Sequence, residues 1–112
     1  DLPVTSRQLK RILKRTGVGI ARTGGYTGHG SGEVMIGFTT ANRIPSGREE
    51  ELLQISAIPE HVINQAFLAA AEAEQEAILN SMTAAKQTRG REGELYYSLA
   101  EYLNDREVET SK

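Results

Sequence analysis

Residues 24–42 read GGYTGHGSGEVMIGFTTAN and pass from a glycine-rich segment into an almost continuously apolar one. Five of the ten residues in 24–33 are glycine, which predicts a loop over 24–32, because glycine reaches backbone conformations closed to other residues. The apolar residues that follow predict a strand over 33–42. Ser31 and Glu33 stand where the loop meets the strand, so this junction is a candidate site.

The predicted strand carries apolar residues on both of its faces. Val34, Ile36 and Phe38 alternate with Met35 and Gly37. A strand that is apolar on both faces is typical of a central strand covered by other layers. The rest of the chain offers little to cover it, so we expect the missing layers to come from another polypeptide segment.

The bulk composition favours a single domain fragment over residues 1–112. The chain is 38% hydrophobic and has no cysteine, which excludes disulfides and thiolate metal sites. No apolar run approaches the roughly 20 residues that span a bilayer, and the first residues lack the features of a signal peptide. The chain begins at Asp1 rather than at a methionine, so we expect it to lie within a longer polypeptide.

Two helices are predicted on either side of the loop and strand. Thr5 and Gln8 have the spacing of a capping box and predict a helix that ends near Arg22. A longer helix is predicted over about 59–86, with an apolar stripe that consists mostly of alanine. Glu74 falls within that stripe, and we expect its carboxylate at the edge, in water.

Shorter elements are expected in the remaining sequence. The candidates are a polar loop over 43–51 with the acidic run Glu49–Glu51, short strands over 52–58 and 94–97, a turn over 90–93 and a helix over 99–104.

Charge is distributed unevenly along the chain. The net charge is −2, but residues 1–22 carry six basic residues against Asp1, and residues 23–112 carry seven basic residues against fourteen acidic ones. A basic segment can bind nucleic acid. The more ordinary interpretation of the basic residues in 1–22 is that they form the solvated side of a helix.

Common cofactor and metal motifs do not fit. Residues 28–32, GHGSG, lack the Lys-Ser/Thr pair of a phosphate loop, and the order helix, loop, strand is not that of a dinucleotide fingerprint. His29 and His61 lie in different elements without a spacing suited to a metal. We therefore expect no cofactor and no metal.

Ser31 and Glu33 are two residues apart, which places them on the same side of an extended chain. A third group between their tips would be within reach of both side chains. Ser-x-Glu alone is a weak signal of catalysis, because simple turn chemistry produces the same pattern.

The segment from Gly28 to Asn42 resembles the signature of the self-processing aminopeptidases that include L-aminopeptidase/D-amidase/D-esterase and the β-peptidyl aminopeptidases. The similarity extends over residues 1–3 (DLP), 8–11 (QLKR), 19–24 (GIARTG), 76–80 (EAILN) and the 90–93 turn. The resemblance implies an α+β fold in which this chain is part of an αββα sandwich, resembling the N-terminal-nucleophile hydrolases and completed by a second chain.

The resemblance also implies a precursor that cuts itself into a large N-terminal chain and a small C-terminal chain. The nucleophile would be a serine at the new N-terminus of the small chain, shortly upstream of Asp1. A free α-amino group has a pKa of about 7.7–8.0, so it can act as the base for its own hydroxyl. By resemblance, Ser31 hydrogen-bonds around the nucleophile and its amine, and Glu33 holds that network as an anion.

The function implied is a serine aminopeptidase that removes N-terminal residues from short peptides, amides or esters. The expected partners are the large chain and further copies of the two-chain unit, with no nucleic acid and no membrane. The expected location is cytoplasmic, with the periplasm as the alternative. The alternative functions are an amide-oligomer hydrolase or acyl transferase of the same fold, or a non-enzymatic nucleic-acid-binding module that uses the basic helix.

Overall fold

A computed structural model describes residues 1–47 and 52–110. The chain divides into two compact units, Asp1–Gln75 and Glu76–Lys112. Its elements in chain order are α1 (Ser6–Leu13), α2 (Thr16–Arg22), a 3-10 turn (Glu60–Val62), α3 (Ile63–Ala84), β1 (Thr88–Arg89), β2 (Leu95–Tyr96) and α4 (Leu99–Thr110). The predicted acidic run Glu49–Glu51 lies outside the described residues.

The capping box at the start of α1 is confirmed. The Thr5 N–H donates to Gln8 Oε1 at 3.1 Å, and the Gln8 N–H donates to Thr5 Oγ1 at 3.2 Å. The single helix predicted to reach Arg22 is wrong, because the chain breaks into α1 and α2. At the break the Arg15 N–H donates to the Ile12 carbonyl at 2.8 Å, which is a tighter turn than an α-helix makes.

Helix α2 crosses α3 at very close range. A Cβ added to Gly19 would lie 2.5 Å from the Ala71 carbonyl oxygen and 2.7 Å from Glu74 Cβ. Gly19 and Ala71 are both buried at this crossing. The alanine-rich stripe predicted for the long helix therefore packs closely against α2 in this unit.

The strand predicted over 33–42 is wrong for the part of the chain that the structure describes, because this segment makes no ladder hydrogen bonds with any described residue. Its exposure nevertheless alternates with the period of an extended chain. Val34, Ile36 and Phe38 are 88%, 86% and 84% exposed, whereas the residues between them are half-buried. On the covered side, a Cβ added to Gly37 would lie 2.8 Å from Leu13 Cδ2. The segment thus lies on α1 and leaves one apolar face open.

Asn42 ties the end of this segment to two other parts of the unit. Its side-chain amide donates to the Val4 carbonyl at 3.2 Å and to the Ser56 carbonyl at 2.9 Å, and its Oδ1 accepts from the Ser56 N–H at 2.9 Å. The strand predicted over 52–58 is also absent among the described residues. The Asn42 amide therefore supplies at Ser56 the pair of hydrogen bonds that a neighbouring strand would otherwise make.

Glu60 at the start of the 3-10 turn gathers partners from α1. Its carboxylate accepts from the Arg11 guanidinium and from Gln8 Nε2 (3.3 Å), and Arg7 lies 3.9 Å away. The Arg11 hydrogen bond, opposed in part by burial, lowers the pKa of Glu60. Glu60 therefore stays ionised at neutral pH and links α1 to the start of α3.

Two basic side chains of the first helical segment lie over an aromatic ring. The guanidinium carbons of Arg11 and Arg15 are 5.3 and 4.3 Å from the centre of the Phe67 ring. A cation over a ring face is attracted by the ring's quadrupole. The interpretation of the basic residues as simply solvated is therefore corrected for Arg11 and Arg15, which pack on α3.

The second unit carries the predicted turn and final helix. Strands β1 and β2 pair antiparallel, with Thr88 opposite Tyr96, around a turn closed by the Gly90 N–H donating to the Glu94 carbonyl at 2.8 Å. The strand predicted over 94–97 is confirmed only at its two central residues. Ser98 caps α4, since the Glu101 N–H donates to Ser98 Oγ at 3.3 Å. None of the described helices combines the length and apolar character needed to cross a bilayer.

We expect Gly19→Ala to destabilise the intact protein, by about 1–3 kcal/mol in the free energy of unfolding, because the added methyl forces α2 and α3 apart. Denaturant unfolding measures this. The control is Gly17→Ala in the same helix, where the added Cβ would lie 3.8 Å from Met35 Cε. That variant should be neutral or stabilised by up to about 1 kcal/mol, because alanine favours a helix. Equal effects of the two substitutions would contradict the close crossing.

We expect Glu60→Gln to lower the stability of the intact protein at neutral pH, because glutamine makes no ion pair with Arg11. The pKa of Glu60 is lower in the folded state, so its contribution is present above the unfolded pKa and disappears as the pH falls through the folded pKa. The stability difference between variant and parent should therefore shrink on acidification. Thermal unfolding across that pH range measures it, and a difference independent of pH would contradict the ion pair.

Candidate active site

The loop between α2 and residue 33 folds back on itself around Gly28. The Gly28 carbonyl accepts both the Ser31 N–H at 3.1 Å and the Ser31 hydroxyl at 2.9 Å. Gly24 and Gly30 have φ of +96° and +93°, which only glycine adopts without strain. The loop predicted from the glycine content is confirmed, and its internal hydrogen bonds give Ser31 a defined orientation.

Ser31 and Glu33 line the same concave surface. This concavity has a volume of about 440 Å³ and is walled by residues 24–31 and Glu33. The structure therefore brings together the two residues selected from the sequence. Both side chains are exposed. Their catalytic roles stay a prediction.

Glu33 also faces a second cavity of about 360 Å³, on the side of the helices. Its other lining residues are Leu13, Thr16, Ile20, Val34, Met35, Ile36 and Glu74. Glu74, expected at the edge of the alanine-rich stripe, is half-buried there. Apart from the two carboxylates and the Thr16 hydroxyl, which donates to the Leu13 carbonyl at 2.8 Å, the lining side chains are apolar.

Within the described part of the chain, the Glu33 carboxylate has no hydrogen bond and no ion pair. It differs in this from Glu60, which has three partners of its own. An anion without a partner at an open cavity is available to a cation or to a hydrogen-bond donor that approaches from outside.

Sequence reasoning missed two residues of the concavity, Tyr26 and Thr27. Thr27 has a φ of +54°, and the Tyr26 ring lies against Gly28. A β-branched residue is rarely found in this region of φ, so nothing in its identity signals the conformation. Of the histidines, His29 lines this concavity and His61 does not, and the described residues contain no group of three potential ligands that could hold a metal.

Comparison with known proteins identifies the family. The model of peptidase family S58 matches residues 1–96. This chain belongs to peptidase family S58. The match covers both cavities and the whole of α3, and it confirms the resemblance found from the glycine-rich segment.

Curated relatives of this S58 chain are β-peptidyl aminopeptidases. The chain is 33% identical over 93 residues to β-peptidyl aminopeptidase BapA from Sphingosinicella microcystinivorans, and 29% identical over 100 residues to BapA from Sphingosinicella xenopeptidilytica. These matches cover 83% and 88% of this chain but 24% and 25% of the relatives. The S58 chain thus spans about a quarter of the length of these relatives.

Two solved structures have the same fold over most of this chain. The PH0078 protein from Pyrococcus horikoshii OT3 matches with a TM-score of 0.85 and 46% identity, over 95% of this chain and 30% of that one. The L-aminopeptidase D-Ala-esterase/amidase from Ochrobactrum anthropi matches with a TM-score of 0.80 and 33% identity. This match covers 88% of this chain and 28% of that one. The latter is described as a prototype for the serine aminopeptidases and a new variant among the Ntn hydrolase fold.

Proposed function

We propose that this chain is the C-terminal part of a self-cleaving serine aminopeptidase that hydrolyses N-terminal residues from short peptides, amides or esters. The observation that carries the proposal is the S58 match over residues 1–96, within which Ser31 and Glu33 line one open concavity. The aminopeptidase names of the relatives support the same reaction class.

We propose further that a second chain completes the fold as an αββα sandwich. Val34, Ile36 and Phe38 present an apolar face that is more than four-fifths exposed, although each side chain would gain from burial. The backbone of residues 33–38 also lacks ladder hydrogen bonds among the described residues. Neighbouring strands would pair with this backbone, and a second layer packed on the resulting sheet would cover the apolar face. The large chain of the same precursor is the expected partner, and the two-chain unit is expected to form homo-oligomers in the cytoplasm.

The proposed nucleophile is the N-terminal serine of the small chain, just upstream of Asp1. Its hydroxyl oxygen attacks the substrate carbonyl carbon, and the hydroxyl proton passes to its own α-amine, whose pKa lies close to neutral. The resulting ammonium then protonates the leaving group as the tetrahedral intermediate collapses. Water later hydrolyses the ester between the serine and the acyl group.

Ser31 and Glu33 have different parts in this scheme. The Ser31 hydroxyl hydrogen is already donated to Gly28, so its lone pairs remain to accept from the amine of the nucleophile. Glu33, which has no hydrogen bond or ion pair with another described residue, is available to stabilise the ammonium that forms when the amine takes the proton. One side chain thus orients the base and the other stabilises its charged form.

Mass spectrometry of the intact gene product tests the architecture of the proposal. We expect two polypeptides, with a serine at the N-terminus of the smaller one and residues 1–112 within it. Self-cleavage of the peptide bond before the serine would produce these two polypeptides. It would also create the free amine that the reaction needs. A single uncut chain that hydrolyses N-terminal amides at full rate would contradict it.

We expect Glu33→Gln in the intact protein to lower kcat by about 100-fold or more, because a neutral amide stabilises the developing ammonium poorly. Ammonia release from amino acid amides measures the rate, and mass spectrometry reports self-cleavage. The control is Glu72→Gln, an exposed glutamate on α3 that lines neither cavity. If Glu33→Gln cleaves itself and turns over within about twofold of the parent, the assignment of Glu33 is wrong.

A further inference from the structure

One residue on the rim of the Ser31–Glu33 concavity has an unusual backbone conformation. Thr27 is the one non-glycine residue there with a positive φ, at +54°. Because Thr is β-branched, this conformation is a genuine outlier that persists only where its surroundings enforce it. Strain of this kind concentrates at sites that bind or react.

The ring of the preceding residue, Tyr26, lies on the loop backbone. A Cβ added to Gly28 would lie 3.0 Å from Tyr26 Cε2 and 3.3 Å from its Cζ and Oη. The ring therefore rests against Gly28, where any side chain would displace it. The rest of Tyr26 is open, since the residue is 89% exposed.

Gly28 connects this ring to the proposed catalytic group. Its α-carbon side contacts Tyr26, and its carbonyl accepts both hydrogen bonds from Ser31. One residue thus fixes the position of the ring relative to the Ser31 hydroxyl. Tyr26, Ser31 and Glu33 all line the same concavity of about 440 Å³.

We propose that Tyr26 is a specificity-determining residue whose exposed ring packs against the side chain of the substrate's N-terminal residue. This proposal rests on the proposed aminopeptidase function, and the expected substrates have an apolar or aromatic side chain on their N-terminal residue. An open aromatic face offers a large contact area for such groups at little entropic cost. Thr27 is the positioning residue that holds the ring in place.

The test compares two substrates of the intact enzyme, phenylalaninamide and glycinamide, which differ only in the side chain that would meet the ring. Tyr26→Ala should lower the ratio of kcat/KM for phenylalaninamide to that for glycinamide by about 5- to 10-fold, through a higher KM, as expected for the loss of one aromatic contact. Tyr26→Phe keeps the ring and should keep the ratio. Tyr97→Ala, an exposed tyrosine outside the concavity, should also keep it.

Thr27 is tested by two substitutions with opposite backbone preferences. Asparagine tolerates positive φ, so Thr27→Asn should keep the substrate ratio. Proline fixes φ near −65°, so Thr27→Pro should lower the ratio as far as Tyr26→Ala does. A Thr27→Pro enzyme with the parental ratio would overturn the positioning role.

Several results with Tyr26→Ala would overturn the proposed role of the ring. A Tyr26→Ala enzyme with an unchanged ratio, or with equal losses on both substrates, would show that the ring does not meet the side chain. Loss of self-cleavage or of two-chain assembly in that variant would show that another part of the protein covers Tyr26. In all these cases the parent enzyme still hydrolyses amides, whereas a parent protein that hydrolyses neither substrate would overturn the proposed function itself.

Discussion

The close crossing of α2 and α3 at Gly19 is the constraint on which the Asp1–Gln75 unit depends. The helices approach until the Gly19 α-carbon faces the Ala71 carbonyl, with no room for a Cβ between them. This fixes the position of α2. A Cβ added to Gly37 would lie 2.8 Å from Leu13 Cδ2 of the preceding helix, which is a side-chain contact that Leu13 could relieve by moving. The segment that begins at Glu33 therefore lies on α1, beside a pair of helices whose crossing requires glycine at position 19.

Local signals in the sequence predicted the local parts of this structure. The Thr5–Gln8 capping box formed because its two hydrogen bonds join residues three apart. The long helix and the loop before Ser31 were also predicted, since helical periodicity and glycine content act over short distances. The pairing of Ser31 and Glu33 on one surface followed from their spacing alone.

What the sequence did not reveal depends on residues far apart in the chain. Arg11 and Arg15 pack on Phe67, more than fifty residues away, and a helical pattern cannot distinguish this from a solvated face. The strand over 33–42 was predicted from its apolar residues, but a strand also needs a hydrogen-bonding neighbour, which no described residue supplies. The positive φ of Thr27 could not be predicted for a third reason, because β-branched residues rarely adopt that conformation.

Two glutamates in the same unit show how a structural acid differs from the proposed functional one. Glu60 is surrounded by Arg11, Gln8 and Arg7, and its lowered pKa follows from those partners. Glu33 has no such partner in the described chain, and it begins the segment whose backbone and apolar face are also unsatisfied. On the proposed function, a strand of the small chain that starts with the nucleophile and runs parallel to residues 33–38 would bring its α-amine to the same end as Glu33. That strand would supply a partner to the acid and to one edge of the segment, and the large chain would supply the layer that covers the apolar face.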